Sequence, residues 1–253
     1  MRVALLSDIH GNSIALDAVL ADIEQTGGVD EYWALGDLVA LGHDPIGVVE
    51  RLVALPRLST VRGNTDRYVV TGERPPPTPA AAIADPDLVP VIAEVAGTFG
   101  WTAGCMSAAG LLPWLASLPP SFTRTLPDGT RALAVHASPR SDDGPGIDPR
   151  ATDAEHADLL AGCGADIVFA GHTHRPVDRQ IGGVRAVNLG SVSNPVPPDL
   201  RASYVILDAD NDDYRVEHRR VAYDLAAVIG ALERLDHHPG RDWVIKHHRG
   251  EVS

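Results

Sequence analysis

Short apolar runs alternate with amphipathic stretches over the first sixty or so residues. Val3–Ser7 (VALLS) reads as a buried strand that stops at the polar turn DIHGNS. Beyond it Leu16, Val19, Leu20 and Ile23 recur at i, i+3, i+4 and i+7, one face of a helix, with Asn12 or Ser13 as its N-cap. Glu31–Asp37 predicts a second strand, Pro45–Leu55 a helix that opens at a proline, and Leu58–Asn64 a third strand. This order predicts parallel βαβ units.

The middle of the chain has a different texture. Residues 73–82 (ERPPPTPAAA) predict an extended spacer. Helical patterns follow around Leu88–Thr98 and Ser107–Leu118, bounded by LPP. No chemical motif lies there, so the segment at about 70–125 is expected to be a helical insertion or cap. Strands then dominate: Arg131–Ser138, Asp166–His174, Val184–Ser191, Ser203–Asp210 and Tyr214–Tyr223, with a helix over Asp153–Ala161. A closing helix capped by Asp224 carries Leu225, Val228, Ile229 and Leu232 on one face. After about residue 236 the chain is polar, and its last fifteen residues are expected to form a loose tail with His237, His238, His247 and His248 in solvent. With no internal repeat, residues 1–253 are expected to form one domain.

Composition narrows the class. At 253 residues and 44% hydrophobic, the chain can bury a substantial core. Its 34 acidic residues outnumber 21 basic ones, a net charge of −13 that disfavours long nucleic acid as a partner. An anionic substrate would need positive charge supplied locally. Two cysteines, Cys105 and Cys163, cannot build a disulfide framework and match no zinc spacing. The apolar run after Arg2 is too short for a signal peptide, and no segment reads as long enough to span a membrane, so a cytoplasmic protein without a membrane partner is expected.

Candidate chemistry sits where the apolar runs stop. The first ends in Asp8 and His10, the second in Asp37 and the third in Asn64. LAVHAS puts His136 at a strand end, and VFAGHTH puts His172 and His174 just past another. Strand ends in an open α/β sheet share one crevice. Asp, Asn and His all ligate divalent cations. Each alone has a plainer role, as a cap, a turn former or a core histidine. Seven ligand-type residues at five strand ends exceed what folding asks for. The glycines of GD, GN and GH let the backbone approach closely.

These blocks, Asp8-x-His10, Gly36-Asp37, Gly63-Asn64, the apolar strand ending in His136, and Gly171-His172-x-His174, resemble in that order those of the calcineurin-like metallophosphoesterases. GDLVALGHDPIGVVERL, HASPRSDDGPG, and NLGSVSNP followed by RASYVILD are similar to a bacterial phosphodiesterase-like subgroup. The resemblance implies an α/β (α+β) fold, a four-layer αββα sandwich of two mixed sheets flanked by helices. It also implies two divalent metal ions, Mn²⁺ foremost, with Fe, Zn, Ni or Co as alternatives. Asp8, His10 and His174 would hold one and Asn64, His136 and His172 the other, with Asp37 bridging. A hydroxide between ions ~3.5–4 Å apart would attack phosphorus in line, with Asn64 and His172 steadying the phosphoryl oxygens. Such a pocket carries a net charge near +1, on the order of what one phosphate ester needs.

One position departs from the family. Many members read Gly-Asn-His, and that histidine is thought to protonate the leaving group; here Thr65 follows Asn64. His43, in LGHDP, is the candidate replacement, and Asp66 is expected to orient a ligand or neighbouring backbone instead. General acids contribute ~10²–10⁴-fold, so slow turnover of ordinary alkyl phosphates is expected. Arg67 and Arg140 could meet the substrate or form surface ion pairs. Asn188 and Ser191 are read as at least as much turn residues as site residues, and Asp142 and Asp143 as turn formers. The leading function is a phosphodiesterase acting on a small or nucleotide-like ester. A phosphomonoesterase, of protein phosphatase or dinucleoside polyphosphate hydrolase type, and a non-catalytic scaffold are the alternatives.

Overall fold

Alternation along the strands decides the architecture. In this computed structural model, which describes residues 1–251, strand β1 (Arg2–Leu6) turns Val3 and Leu5 to one side and Ala4 and Leu6 to the other, all fully buried. A strand apolar on both faces must be covered on both faces. Helix α1 (Ser13–Gln25), strand β2 (Glu31–Leu35), helix α2 (Pro45–Ala54) and strand β3 (Leu58–Val61) follow in the expected order, with β1, β2 and β3 parallel. Asn12 caps α1, its side chain accepting from the Ala15 amide, and Asp44 does the same for α2 at Gly47.

Two five-stranded mixed sheets result. The first runs β10-β9-β1-β2-β3, with β9 (Ala202–Ala209) antiparallel to β1 and β10 (Tyr214–Val221) antiparallel to β9. The second runs β4-β5-β6-β8-β7: β5 (Arg131–Val135), β6 (Ile167–Ala170) and β8 (Val184–Asn188) are parallel, and β4 (Ser121–Thr125) and β7 (Val177–Ile181) are antiparallel edges. Between the sheets lie Val3, Leu5, Trp33 and Leu35, opposite Ala134, Ile167, Phe169 and Val187. Trp33 meets Phe122 and Phe169 edge-on, with ring centroids 5.2 and 6.0 Å away. Truncating it to alanine would cost about 3–5 kcal/mol. Outside the first sheet Ala4 and Leu6 pack on Leu16, Val19 and Ile23 of α1 and on Val48 and Leu52 of α2. Outside the second, Leu133, Val135 and Val168 pack against Leu160 of α7 (Asp153–Leu160). The molecule is therefore an αββα sandwich, as expected.

Several elements were not visible in the hydrophobic pattern. Strands β4 and β7 are edges with polar, exposed positions (SFTRT and VDRQI), so no apolar run marks them. Helix α3 (Asn64–Thr71) begins directly at the predicted ligand, and the segment read as a spacer contains α4 (Pro79–Ala84). The two expected insertion helices are one, α5 (Val89–Ala108), followed by the short α6 (Leu112–Ala116). Within α5, Gly97 lies where a Cβ would press on Pro239. With the 3₁₀ turn before it, α5 makes a 23-residue stretch whose most apolar 18-residue window has a mean hydropathy of 1.3, long and apolar enough to cross a membrane by length and composition alone. That corrects the expectation that no segment qualifies. Its Phe99 and Met106 enter the first core layer instead.

The loose polar tail is also corrected. Helix α9 (Arg241–His248) packs Val244 and Ile245 on Val228 and Leu232 of α8 (Leu225–Glu233). His238, His247 and His248 are buried there, and only His237 of the four tail histidines is exposed. Burial pushes the His248 imidazole down to about 3 and lowers those of His238 and His247. Counting these histidines as polar hid the inward face of α9.

Candidate metal centre

The turns that follow β1, β2, β3, β5 and β6 converge, and they hold an unusual backbone. Asp8, His10, Asp37, His172 and His174 have φ values of 56, 47, 54, 71 and 58°. Apart from Leu41 and Arg57, no other non-glycine residue among those described lies in the left-handed region. L-residues there are strained and persist only when the surroundings over-determine them. Here they do. The Asp8 amide donates to Gly36 O (3.1 Å) and the His10 amide to Asp37 O (2.9 Å), stitching the first turn to the second. The Gly171 amide donates to His136 O (2.8 Å), joining two turns of the other sheet. Glycines allow the close approaches: a Cβ on Gly171 of the second sheet would run into the Asp8 carboxylate and the Ser7 hydroxyl of the first, and one on Gly63 into the Asp37 carboxylate of the neighbouring turn in the same sheet.

All seven predicted ligands are brought together. Nε2 of His10 lies 3.2 Å from Nε2 of His174, which is 3.2 Å from Asp8 Oδ1. Asp37 reaches both ways, with Oδ2 3.7 Å from His10 Nε2 and Oδ1 3.3 Å from His136 Nε2. Asn64 Oδ1 stands 3.1 Å from His136 Nε2 and 3.0 Å from His172 Nδ1. Asp8, His10 and His174 form one group able to hold an ion, and Asp8, Asp37 and His136 form another. The partly exposed His172 and His174 form the solvent side, while Asp8, Asp37 and His136 are buried.

The charges show what this cluster would attract. Asp8 and Asp37 are 0 and 2% exposed, and among the described residues neither pairs with an arginine or lysine. Buried carboxylates without counter-charge cost several kcal/mol, on the order of a whole fold's margin. Burial pushes the Asp37 carboxyl up, but His136 and His10 outweigh it and hold it well below the usual carboxylate range. Burial likewise opposes protonation of His136 and His174, and the carboxylates beside them raise both nonetheless. His10, more dominated by burial, is pushed down to about 4. The negative charge that draws protons onto these rings would equally draw a metal cation.

Ring orientation points the same way. The His136 Nδ1–H donates to Leu35 O (2.7 Å) and the His172 Nε2–H to Gly144 O (2.8 Å). In the neutral rings both remaining lone pairs face Asn64 Oδ1, a third acceptor. Three acceptors facing one another repel unless a proton or a metal cation sits among them. Carbonyl-anchored imidazoles are a common support for metal ligation. Carboxylate, amide and imidazole together, without thiolate, suit a borderline or hard divalent ion. The residues fit such ions.

Other expectations fare differently. The structure does not bring His43 to the cluster: its partly buried ring, lowered by burial, has an unpartnered Nδ1 and lies by Asp44 and His238. Arg67 is committed to Asp142, Asp143 and Glu73, and Arg140 to Asp158 at α7, so the ion-pair reading holds for both and neither side chain contacts the ligands. Asp142 and Asp143 are correspondingly ion-pair partners, of Arg62 and Arg67, more than turn formers. Asp66 orients backbone as expected, accepting from the Leu38 and Gly63 amides (both 2.9 Å); burial and the nearby Asp37 push it up to about 7.

Two buried residues do more than the sequence suggested. Asn188 Nδ2 lies 2.6 Å from Gly171 O, 2.9 Å from Ile147 O and 3.0 Å from Thr173 Oγ1, pinning the GHTH turn. Ser191 donates to Asp8 O (2.9 Å) and so holds the first turn. An isolated NLGS gives no hint of partners so far along the chain.

Residues 1–212 match the calcineurin-like phosphoesterase superfamily domain. An uncharacterized protein of Methanocaldococcus jannaschii is 30% identical over 241 residues, 88% of each chain. The crystal structure of a metallophosphoesterase from Sphaerobacter thermophilus is 27% identical, with a TM-score of 0.74 over 100% of both chains. A hypothetical protein of Pyrococcus horikoshii shares the fold at a TM-score of 0.79 and 20% identity, over 99% of both chains. Strand ends, ligand geometry and these matches agree: the chain belongs to the calcineurin-like phosphoesterase superfamily.

Proposed function

We propose that the protein is a dinuclear metal-dependent phosphodiesterase acting on a small or nucleotide-like diester. The observation that carries this reading is the pair of buried carboxylates that, among the described residues, meet no arginine or lysine and are ringed by four imidazoles and one amide. Asp8, His10 and His174 would hold one ion and Asn64, His136 and His172 the second, with Asp37 shared. Two divalent ions, Mn²⁺ foremost, would supply an activated hydroxide and a charge clamp on phosphorus-bound oxygens. The Asn64 amide and the His172 ring, at the open side, orient the phosphoryl group.

The residues around the cluster favour a diester over a monoester. A monoester dianion calls for an added basic clamp, and the nearby arginines, Arg67 and Arg140, are occupied by carboxylates. A diester monoanion matches a pocket of about +1. Thr65 offers no imidazole to the leaving group, so activated esters should turn over best.

The test is hydrolysis of bis(p-nitrophenyl) phosphate and of p-nitrophenyl phosphate by Mn²⁺-loaded protein, with Asp37→Ala as control. Diester turnover that exceeds monoester turnover and vanishes in the variant is expected. Equal residual rates in the metal-loaded protein and the variant would sink the reading.

A further inference from the structure

A cavity of about 310 Å³ lies beside the metal centre, between α3, α5 and α9. Leu41, Val95, Phe99 and Val244 make its walls, and Val91 and Trp243, 41 and 43% exposed, bring it to the surface. Thr65 belongs to the lining too. Its amide donates to Asp37 Oδ1 (2.9 Å), so the cavity touches the residue directly bound to the shared carboxylate. Its Oγ1 is buried and has no partner, in a residue only 8% exposed. A buried hydroxyl without a partner weakens a fold, and this one sits where an apolar cavity adjoins a polar site.

Resting on the phosphodiesterase reading, we propose that this cavity receives an aryl or alkyl substituent of the diester, with the Thr65 hydroxyl bonding the ester oxygen that joins it to phosphorus. Glu94 is the one charged residue of the lining, so an anionic phosphoryl group is repelled from the cavity while an uncharged substituent is not. Mostly apolar walls with a few polar groups, here Thr65, Glu94 and Thr98, are the usual build of a small-molecule pocket. The inserted helix α5 and the terminal helix α9 thereby become specificity elements, which their lack of any chemical motif concealed.

The test compares two slowly hydrolysed monoanions, phenyl methylphosphonate and methyl methylphosphonate, by calorimetry on the Mn²⁺-loaded protein. The phenyl ester should bind about tenfold tighter or better, and Trp243→Ala and Val91→Glu should each shrink that ratio. Thr65→Val should keep or raise the melting temperature while lowering phenyl ester affinity about fivefold or more; a purely structural hydroxyl would leave affinity unchanged. Equal binding of the two esters overturns the proposal and leaves the phosphodiesterase reading intact. Binding of neither ester, with no diester hydrolysis, overturns both. Should Val91→Glu split a dimer into monomers in light scattering and leave the affinity ratio unaltered, the face belongs to a second copy and the proposal fails.

Discussion

The two sheets are built alike but contribute differently to the site. Each has three parallel strands at its heart, β1-β2-β3 in one and β5-β6-β8 in the other. The first supplies Asp8, His10, Asp37 and Asn64 from its turns, and so all the negative charge. The second supplies His136, His172 and His174, ligands that are neutral when unprotonated. Negative charge is concentrated on one sheet, and the other contributes imidazoles alone. Damage to the first sheet's turns should therefore abolish ion binding, whereas damage to the second's should loosen it.

The largest effect is expected at Asp37, whose carboxylate reaches both His10 and His136. Asp37→Ala should lower diester turnover by about 10³-fold or more and empty the site, read as bound metal by mass spectrometry after gel filtration. If Asp37→Ala keeps its full metal content, the division of labour between sheets is wrong. His174→Ala, on the neutral side, should cost about 10²-fold in turnover and weaken metal affinity without emptying the site. Asn188→Ala tests the same sheet one step removed. Releasing the GHTH turn should lower metal affinity by about 10-fold or more, while far-ultraviolet dichroism stays unchanged.

Away from the site, burial holds the His248 imidazole at about 3, against 6.5 when exposed. Below pH 6.5 the unfolded chain takes up a proton that the folded chain refuses, so stability falls as the pH drops from 6.5 toward 3. The slope from this residue is at most about 1.4 kcal/mol per pH unit. His248→Gln should flatten that part of the curve in urea titrations at pH 7 and pH 5. The smallest effect is expected from Arg140→Ala. An exposed pair such as Arg140–Asp158 contributes about 0–1 kcal/mol, and diester kinetics should change less than about twofold. A large rise in KM would return Arg140 to the substrate.

The same contrast explains what could be read before the structure was known. Buried parallel strands write continuous apolar runs, and each run stops at its turn, so Asp8, Asp37, Asn64 and His136 stood out at known places in the fold. Edge strands β4 and β7 bury little and left no such trace. The tail failed for a chemical reason: His247 and His248 scan as polar, yet neutral imidazoles pack inward on α9. Asn188 was read as a turn or site residue without its specific role, because its partners, Ile147, Gly171 and Thr173, are close only after the chain has folded. His43 was drawn in by its spacing in LGHDP, but the turn carries it toward α8 and α9.

The tight seat of Gly171 against Asp8 has a consequence for the nascent chain. During synthesis the N-terminal half emerges first, carrying both acidic ligands and one imidazole. The first and second turns are tied to each other by the Asp8 and His10 amides, but the cluster closes only once residues 171–174 have been made and have packed against Asp8.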